Sequence, residues 1–179
     1  MNMKTGNNAL FDSEGYSLVE MMVTLAVFSL LLITAWQVFD ASQESMNWNY
    51  HQLNLQKEMR RILDTMSKEI RESSPSSPTP ISIGANTITF QIPATVSATG
   101  AVTAWTPVTY GLGADNTVVR TTGTQTNAIG GGGITGLNFV YPVAGMPRTV
   151  QIQITGTATT LKLRNITTTA TGQVVLRNP

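Results

Sequence analysis

Cysteine is absent from the 179-residue chain and histidine occurs once. Those two absences exclude a disulfide framework, a thiolate metal site, a cysteine nucleophile, a lipid-anchored N-terminal cysteine and a histidine-rich metal cluster. Charge is also scarce, at 12% of residues, with eleven basic against ten acidic side chains. Phosphate neutralisation needs a dense Lys/Arg face, so this balance speaks against a nucleic-acid partner. Glycine and proline are missing from Tyr16 to Ser74, and nothing there forces a helix to break. Past Ile81 the only acid is Asp115.

What is present falls into zones. Residues 1–15 are short and polar, with Lys4, Asp12 and Glu14 as the charged side chains. Tyr16 to Phe39 is almost wholly apolar, interrupted by small hydroxyls and in earnest only by Glu20 and Gln37. As a helix this stretch is roughly 36 Å long, against a bilayer core of about 30 Å. Ser17, Thr24, Ser29 and Thr34 cost little there, because a helical hydroxyl can bond to the preceding turn. The reading is a transmembrane helix with a carboxylate near one end. Trp36 and Phe39 fit an interfacial aromatic belt.

The helix is expected to continue over residues 40–74 as an amphipathic rod. Met46, Tyr50 and Leu53, then Met59, Ile62, Leu63, Met66 and Ile70, read as one apolar stripe packing on the chain's own domain rather than in an intermolecular coiled coil. Arg60/Asp64, Asp64/Lys68 and Lys68/Glu72 stand at ion-pair spacing, each worth about 0.3 kcal/mol when exposed. The run Ser73-Ser74-Pro75-Ser76-Ser77-Pro78-Thr79-Pro80 ends the helix. Residues 75–179 then become rich in Thr, Gly and Val. Period-two alternation marks strands at Thr87–Ile92, Val108–Leu112, Thr117–Arg120, Val150–Ile154, Leu161–Arg164 and Val174–Arg177, with a turn at Asp115-Asn116. The intervals leave no room for crossover helices, so the sheet should be mostly antiparallel. The expected class is α+β: a long N-terminal helix on a small β-sheet, with Trp105 in its core.

An apolar run this long, with no small-residue cleavage site after it, is unlike a secretory signal. In front of it stands Gly15-Tyr16-Ser17-Leu18-Val19-Glu20. This resembles the cleavage and methylation motif of type IV prepilins and type II secretion pseudopilins. The resemblance implies a pilin-like fold, cleavage by prepilin peptidase between Gly15 and Tyr16, N-methylation of Tyr16, and a filament role for Glu20. A charged amine on Tyr16 and a charged Glu20 both have to enter apolar surroundings, where an unpaired charge costs roughly 2.5–3.5 kcal/mol. Tyr16 and Glu20 share a helix face, so pairing within one chain is open. The resemblance implies pairing with a neighbouring subunit instead.

The basic-acidic helix end at Met59–Glu72, the strand–turn–strand at Val108–Arg120 and the closing Val174-Val175-Leu176-Arg177-Asn178 are most similar to J-type pseudopilins and W-type minor pilins. Many major pilins have a helix proline where this chain has Gln37, and many have a C-terminal cysteine pair. Glu20 is unlike K-type pseudopilins. The implied partners are the peptidase/methyltransferase, other pilin or pseudopilin subunits and the inner membrane, with the β-domain periplasmic.

No enzymatic constellation accompanies the motif. His51 has Glu44 and Glu58 seven residues to either side, but the β-domain offers one acid to complete a site, so a solvated helix histidine is expected. Gly130-Gly131-Gly132-Gly133 lacks the Lys-Ser/Thr of a phosphate loop and reads as a flexible loop before a strand at Ile134. No catalytic residue, metal, cofactor or small-molecule substrate is expected. The alternative function is a signal-anchored periplasmic adhesin or binding module that never polymerises.

Overall fold

A computed structural model describes residues 17–73, 81–142 and 149–176. The leader with Gly15 and Tyr16, most of the Ser/Pro run and the terminal Arg177-Asn178 lie outside the described residues. The chain divides into two compact units between Gln43 and Glu44.

Helix α1 spans Leu18–Glu72. Its end is capped by Ser73, which is buried and whose Oγ donates to the Ile70 carbonyl at 2.6 Å. In the first unit every described side chain of this helix is exposed. In the second unit α1 buries Leu55, Met59, Ile62, Leu63, Met66 and Ile70. Spacings of three and four residues put these on one side of the rod.

Two antiparallel sheets face that side. The first runs β1 (Ser82–Ile83), β2 (Thr87–Val96), β3 (Val102–Leu112), β4 (Val118–Thr122) and β5 (Gln125–Ala128), in chain order. The second is β6 (Ile134–Val140), β7 (Thr149–Thr159) and β8 (Asn165–Val175). Every second residue of β7 from Val150 to Gly156 is buried, the period expected of a strand with one covered face. Ile88 and Phe90 of β2, Val108 and Tyr110 of β3, and Phe139 of β6 join the helix residues in one core. The Phe90 and Tyr110 rings stack with centroids 6.0 Å apart.

The expected helix, its stop, the antiparallel pairing and the turn at Asp115-Asn116 are present, the last with Asn116 at φ 53°. Several expectations need correction. There are two sheets rather than one. β5 has no buried residue, and a glycine loop rather than a tight turn follows it, so β6 pairs with β7 instead of extending the first sheet. Leu161–Arg164 is not a strand but the turn joining β7 to β8. There Thr160 donates its amide to the Arg164 carbonyl at 2.9 Å and accepts the Leu163 amide at 2.9 Å. Leu163 takes φ 58°. Trp105 is half-buried beside Pro93 rather than in the core.

The apolar stripe is also two stripes. Met46, Tyr50 and Leu53 are 67%, 62% and 64% exposed. Six residues separate Leu53 from Met59. At about 100° per residue that step crosses the rod, leaving the first group about 160° from the buried face. The spaced pairs Arg60/Asp64, Asp64/Lys68 and Lys68/Glu72 do not close to ion-pair distance. Such exposed pairs gain too little to hold two long side chains in one geometry. This part of the helix pairs Glu58 with Arg61 at 2.7 Å and Glu69 with Arg120 of β4 at 2.9 Å.

Candidate functional site

The N-terminal end of α1 carries the features that point to function. From Leu18 to Phe39 its large apolar side chains are 52% exposed or more, a state that water does not favour. By length and composition the helix can cross a membrane. Its hydroxyls bond as expected: Thr24 to the Met21 carbonyl at 2.9 Å, Ser29 to Leu25 at 2.7 Å and Thr34 to Leu31 at 2.8 Å. Each therefore meets an apolar environment with its donor already satisfied. The Trp36 and Phe39 rings lie 6.1 Å apart at the C-terminal end of this segment.

Glu20 sits in the first turn and is exposed. The nearby polar groups are committed elsewhere: the Ser17 carbonyl accepts the Met21 amide at 3.1 Å, and the Thr24 hydroxyl faces Met21. Among the described residues no group meets the Glu20 carboxylate. The first turn of a helix favours an acid, because the free amides there carry partial positive charge. That interaction leaves the carboxylate itself available to a cation from outside the segment. Gly15 and Tyr16, the other residues of the motif, lie outside the described residues.

In the second unit, charge serves to tie the helix to the sheets. Glu58 accepts from Arg61 and from the Gly131 amide at 2.7 Å, and Arg61 also donates to the Ile129 carbonyl at 2.9 Å. The Arg61 bond holds the Glu58 carboxyl below its usual range; burial opposes it, and the Gly131 amide adds a smaller downward push. The four-glycine segment is thus a loop, as expected, but one strapped to the helix. A side chain at Gly130 would lie 2.5 Å from Ile62 Cδ1, and Gly133 has φ +102°. Nothing in the sequence marks Glu58 and Gly131 as partners, since 73 residues separate them.

Arg120 makes two bonds to the Glu69 carboxylate, at 2.9 and 3.0 Å. The Tyr110 hydroxyl is buried beside this pair without a hydrogen bond of its own. Burial first, and the adjacent carboxylate second, push its ionisation above the ordinary tyrosine range. His51 stacks edge-on with Tyr50, ring centroids 5.9 Å apart, and is half-exposed. Among the described residues no group of three or more His, Asp and Glu side chains is placed to hold a metal ion.

Comparison with known proteins bears on the N-terminal segment. No curated protein and no solved structure shows significant similarity to the chain. Residues 11–36 match the family model described as "Prokaryotic N-terminal methylation motif". That stretch takes in Gly15, Tyr16 and Glu20 and most of the apolar segment. The chain carries a prepilin-type N-terminal methylation motif at the head of an apolar helix, which supports a prepilin-like protein of the type IV pilin and pseudopilin kind.

Proposed function

We propose that this protein is a structural, minor prepilin-like subunit of a type IV pilus or a type II secretion pseudopilus. Prepilin peptidase cleaves it between Gly15 and Tyr16, the new Tyr16 amine is methylated, and the subunit assembles through its N-terminal helix. Residues 1–15 are the cytoplasmic leader and residues 16–39 the membrane and filament-core helix. Residues 40–74 continue that helix, and residues 75–179 form the periplasmic β-domain. J-type pseudopilins and W-type minor pilins are the subtypes it most resembles. The membrane-resident form is single-pass in the inner membrane.

The observation that carries the reading is a lone carboxylate, Glu20, in the first turn of α1, within its exposed apolar segment and inside the matched motif. An intramembrane acid is costly and is retained where a partner exists for it. A second feature supports assembly. Met46, Tyr50 and Leu53 lie past the apolar segment, on the side of α1 away from its buried face, where another subunit's helix can cover them. Intact-mass and N-terminal analysis of protein from its native host is the test. The expected product begins at N-methyl-Tyr16, lighter by about 1.6 kDa at an ordinary average residue mass. Assembled material that retains Met1 would refute the processing and favour an anchored binding module.

A further inference from the structure

The two sheets have four edges, and three of them are closed or too short to pair. β1 has two residues and β5 four, which gives an incoming strand little to bond. The outer edge of β6 is tied to the first sheet. There the Ile134 amide donates to the Asn116 carbonyl at 2.8 Å, and the Asn86 side-chain amide, turned to donate, reaches the Leu137 carbonyl at 3.1 Å.

The fourth edge is different. β8 runs eleven residues and ends the order β6-β7-β8, so among the described residues no strand pairs with its other side. Asn165–Val175 holds no charged residue and no proline, and its register with β7 has no bulge. Charge, proline, bulges and brevity are the devices that keep an edge strand from pairing with another chain. β8 has none of them, so a row of backbone donors and acceptors is left open to a strand.

A groove beside this edge indicates where that strand comes from. It has a volume of about 780 Å³ and is lined by Asp64, Lys68, Arg71 and Glu72 of α1 with Gln173 and Val175 of β8. Among the described residues these four charges make no ion pair. Two are acids and two are bases, a set that is its own complement. Across a two-fold axis the acids of one copy have the bases of the other to meet.

We propose that β8 is a self-association edge, on which a second copy of this chain adds its own β8 antiparallel. The two three-stranded sheets then join into one of six strands. A two-fold axis normal to the sheet keeps both buried faces on one side, so residues of like face oppose each other. Centred on Ala170, the midpoint, it uses all eleven positions. Ile166 then stands opposite Val174, Thr167 opposite Gln173 and Thr169 opposite Thr171, and no like charges meet along the strand. Such a pairing exchanges about ten backbone hydrogen bonds, as many as a standard interface carries. The proposal concerns the second unit alone and rests neither on the methylation motif nor on filament assembly.

The chain has no cysteine, so single thiols can be placed in the full-length protein, held in detergent micelles, without other changes. Thr169→Cys and Thr171→Cys proteins are mixed and oxidised. Opposed positions bring their Cβ atoms to about 4.5–5.5 Å, near the reach of a disulfide. The mixture should therefore crosslink faster than either protein does with itself. Thr155→Cys, one strand in from the edge on β7, should not crosslink to either.

Sedimentation over a concentration series reads the affinity. Thr169→Lys/Thr171→Lys places lysines on exposed positions, where an edge strand tolerates them, but sets like charges opposite each other in the dimer. It should weaken dimerisation by roughly tenfold or more. Mixing it with Thr169→Glu/Thr171→Glu should restore pairing as a heterodimer, a rescue that a folding defect would not show. A monomer at every concentration overturns the proposal. So does a dimer indifferent to the lysines and without the Thr169–Thr171 crosslink, which would be held by the N-terminal helix instead. Crosslinking of β8 only when a different subunit is added identifies a foreign strand and also overturns it.

Discussion

Replacing Glu20 by leucine separates a filament subunit from a simple anchor by the sign of the effect. Glu20 is exposed in the first turn of α1, and no described residue of its own segment meets its carboxylate. In a monomeric anchor the substitution removes an uncompensated acid. Insertion should then improve by up to the roughly 2.5–3.5 kcal/mol that a central acid costs, less so near the helix end. In an assembling subunit the same change strips the partner from a neighbour's Tyr16 amine. Removing one member of a buried pair costs about 3–5 kcal/mol, because the other charge is left buried and unpaired. At tenfold per 1.4 kcal/mol, recruitment into the filament should fall by roughly two to three and a half orders of magnitude.

The assay is disulfide crosslinking through Met46→Cys or Leu53→Cys, both on the exposed side of the helix and both unique thiols in this chain. The Glu20→Leu protein should remain in the membrane and be cleaved normally, yet lose its crosslinks to partner subunits. Glu20→Gln should behave the same way, because it keeps the shape and removes the charge. Crosslinking and secretion or piliation unchanged by either substitution would refute the pairing role.

Three further outcomes test the β-domain and its strap. Glu58 has a folded-state pKa below its ordinary value of 4.5, so its contribution is present above that pH and lost as pH falls through the lowered value. Hydrogen exchange at the Gly131 amide, corrected for the intrinsic rate, should lose protection across that acid window, and Glu58→Gln should flatten the dependence. Gly133→Ala puts a Cβ 2.7 Å from the Thr157 carbonyl at φ +102°, a backbone clash that no rotamer relieves. It should cost about 1–3 kcal/mol in denaturant unfolding, more than Gly123→Ala, where φ is +61° and the space is open. Met66→Ala, at a fully buried helix position, should cost about 2–5 kcal/mol, whereas Met46→Ala on the exposed side should stay within about 0.5 kcal/mol.

The helix and its stop could be read from the chain because each rests on local chemistry. An uninterrupted run without glycine or proline, with apolar residues throughout its first half, has few other solutions. Glu20 stood out for the same reason, as a carboxylate where solvation is poor. The division of the apolar stripe was also present in the spacing, since the six-residue step from Leu53 to Met59 is out of phase with a 3.6 period. What could not be read depends on residues distant in the chain. Glu58 finds Gly131, and Arg120 finds Glu69 across 51 positions. Leu161–Arg164 looks like a strand by alternation, yet four residues are too few to outweigh the bonds that Thr160 makes across them. The first half of β8, Asn165–Thr171, has the opposite problem: its inward positions are Ile166, Thr168 and Ala170, which give a weak hydrophobic signal despite eleven paired residues.

The two sides of α1 make different demands on whatever surrounds the molecule. The side bearing Met59, Ile62, Met66 and Ile70 is fully covered by this chain's own sheets, so it is indifferent to assembly. The large apolar side chains of Leu18–Phe39 and Met46, Tyr50 and Leu53 are covered by no described residue of the chain. A bilayer can cover the first, since each buried large apolar side chain gains roughly 1.5–3 kcal/mol there. The Met46–Leu53 patch belongs to the second unit, past the apolar segment in the sequence. If the subunit joins a filament as proposed, helices of neighbouring subunits can cover both surfaces. On the proposed reading the exposed patch is a subunit contact, so crosslinks at Met46 and Leu53, rather than membrane retention, decide between a filament subunit and an anchored binding module.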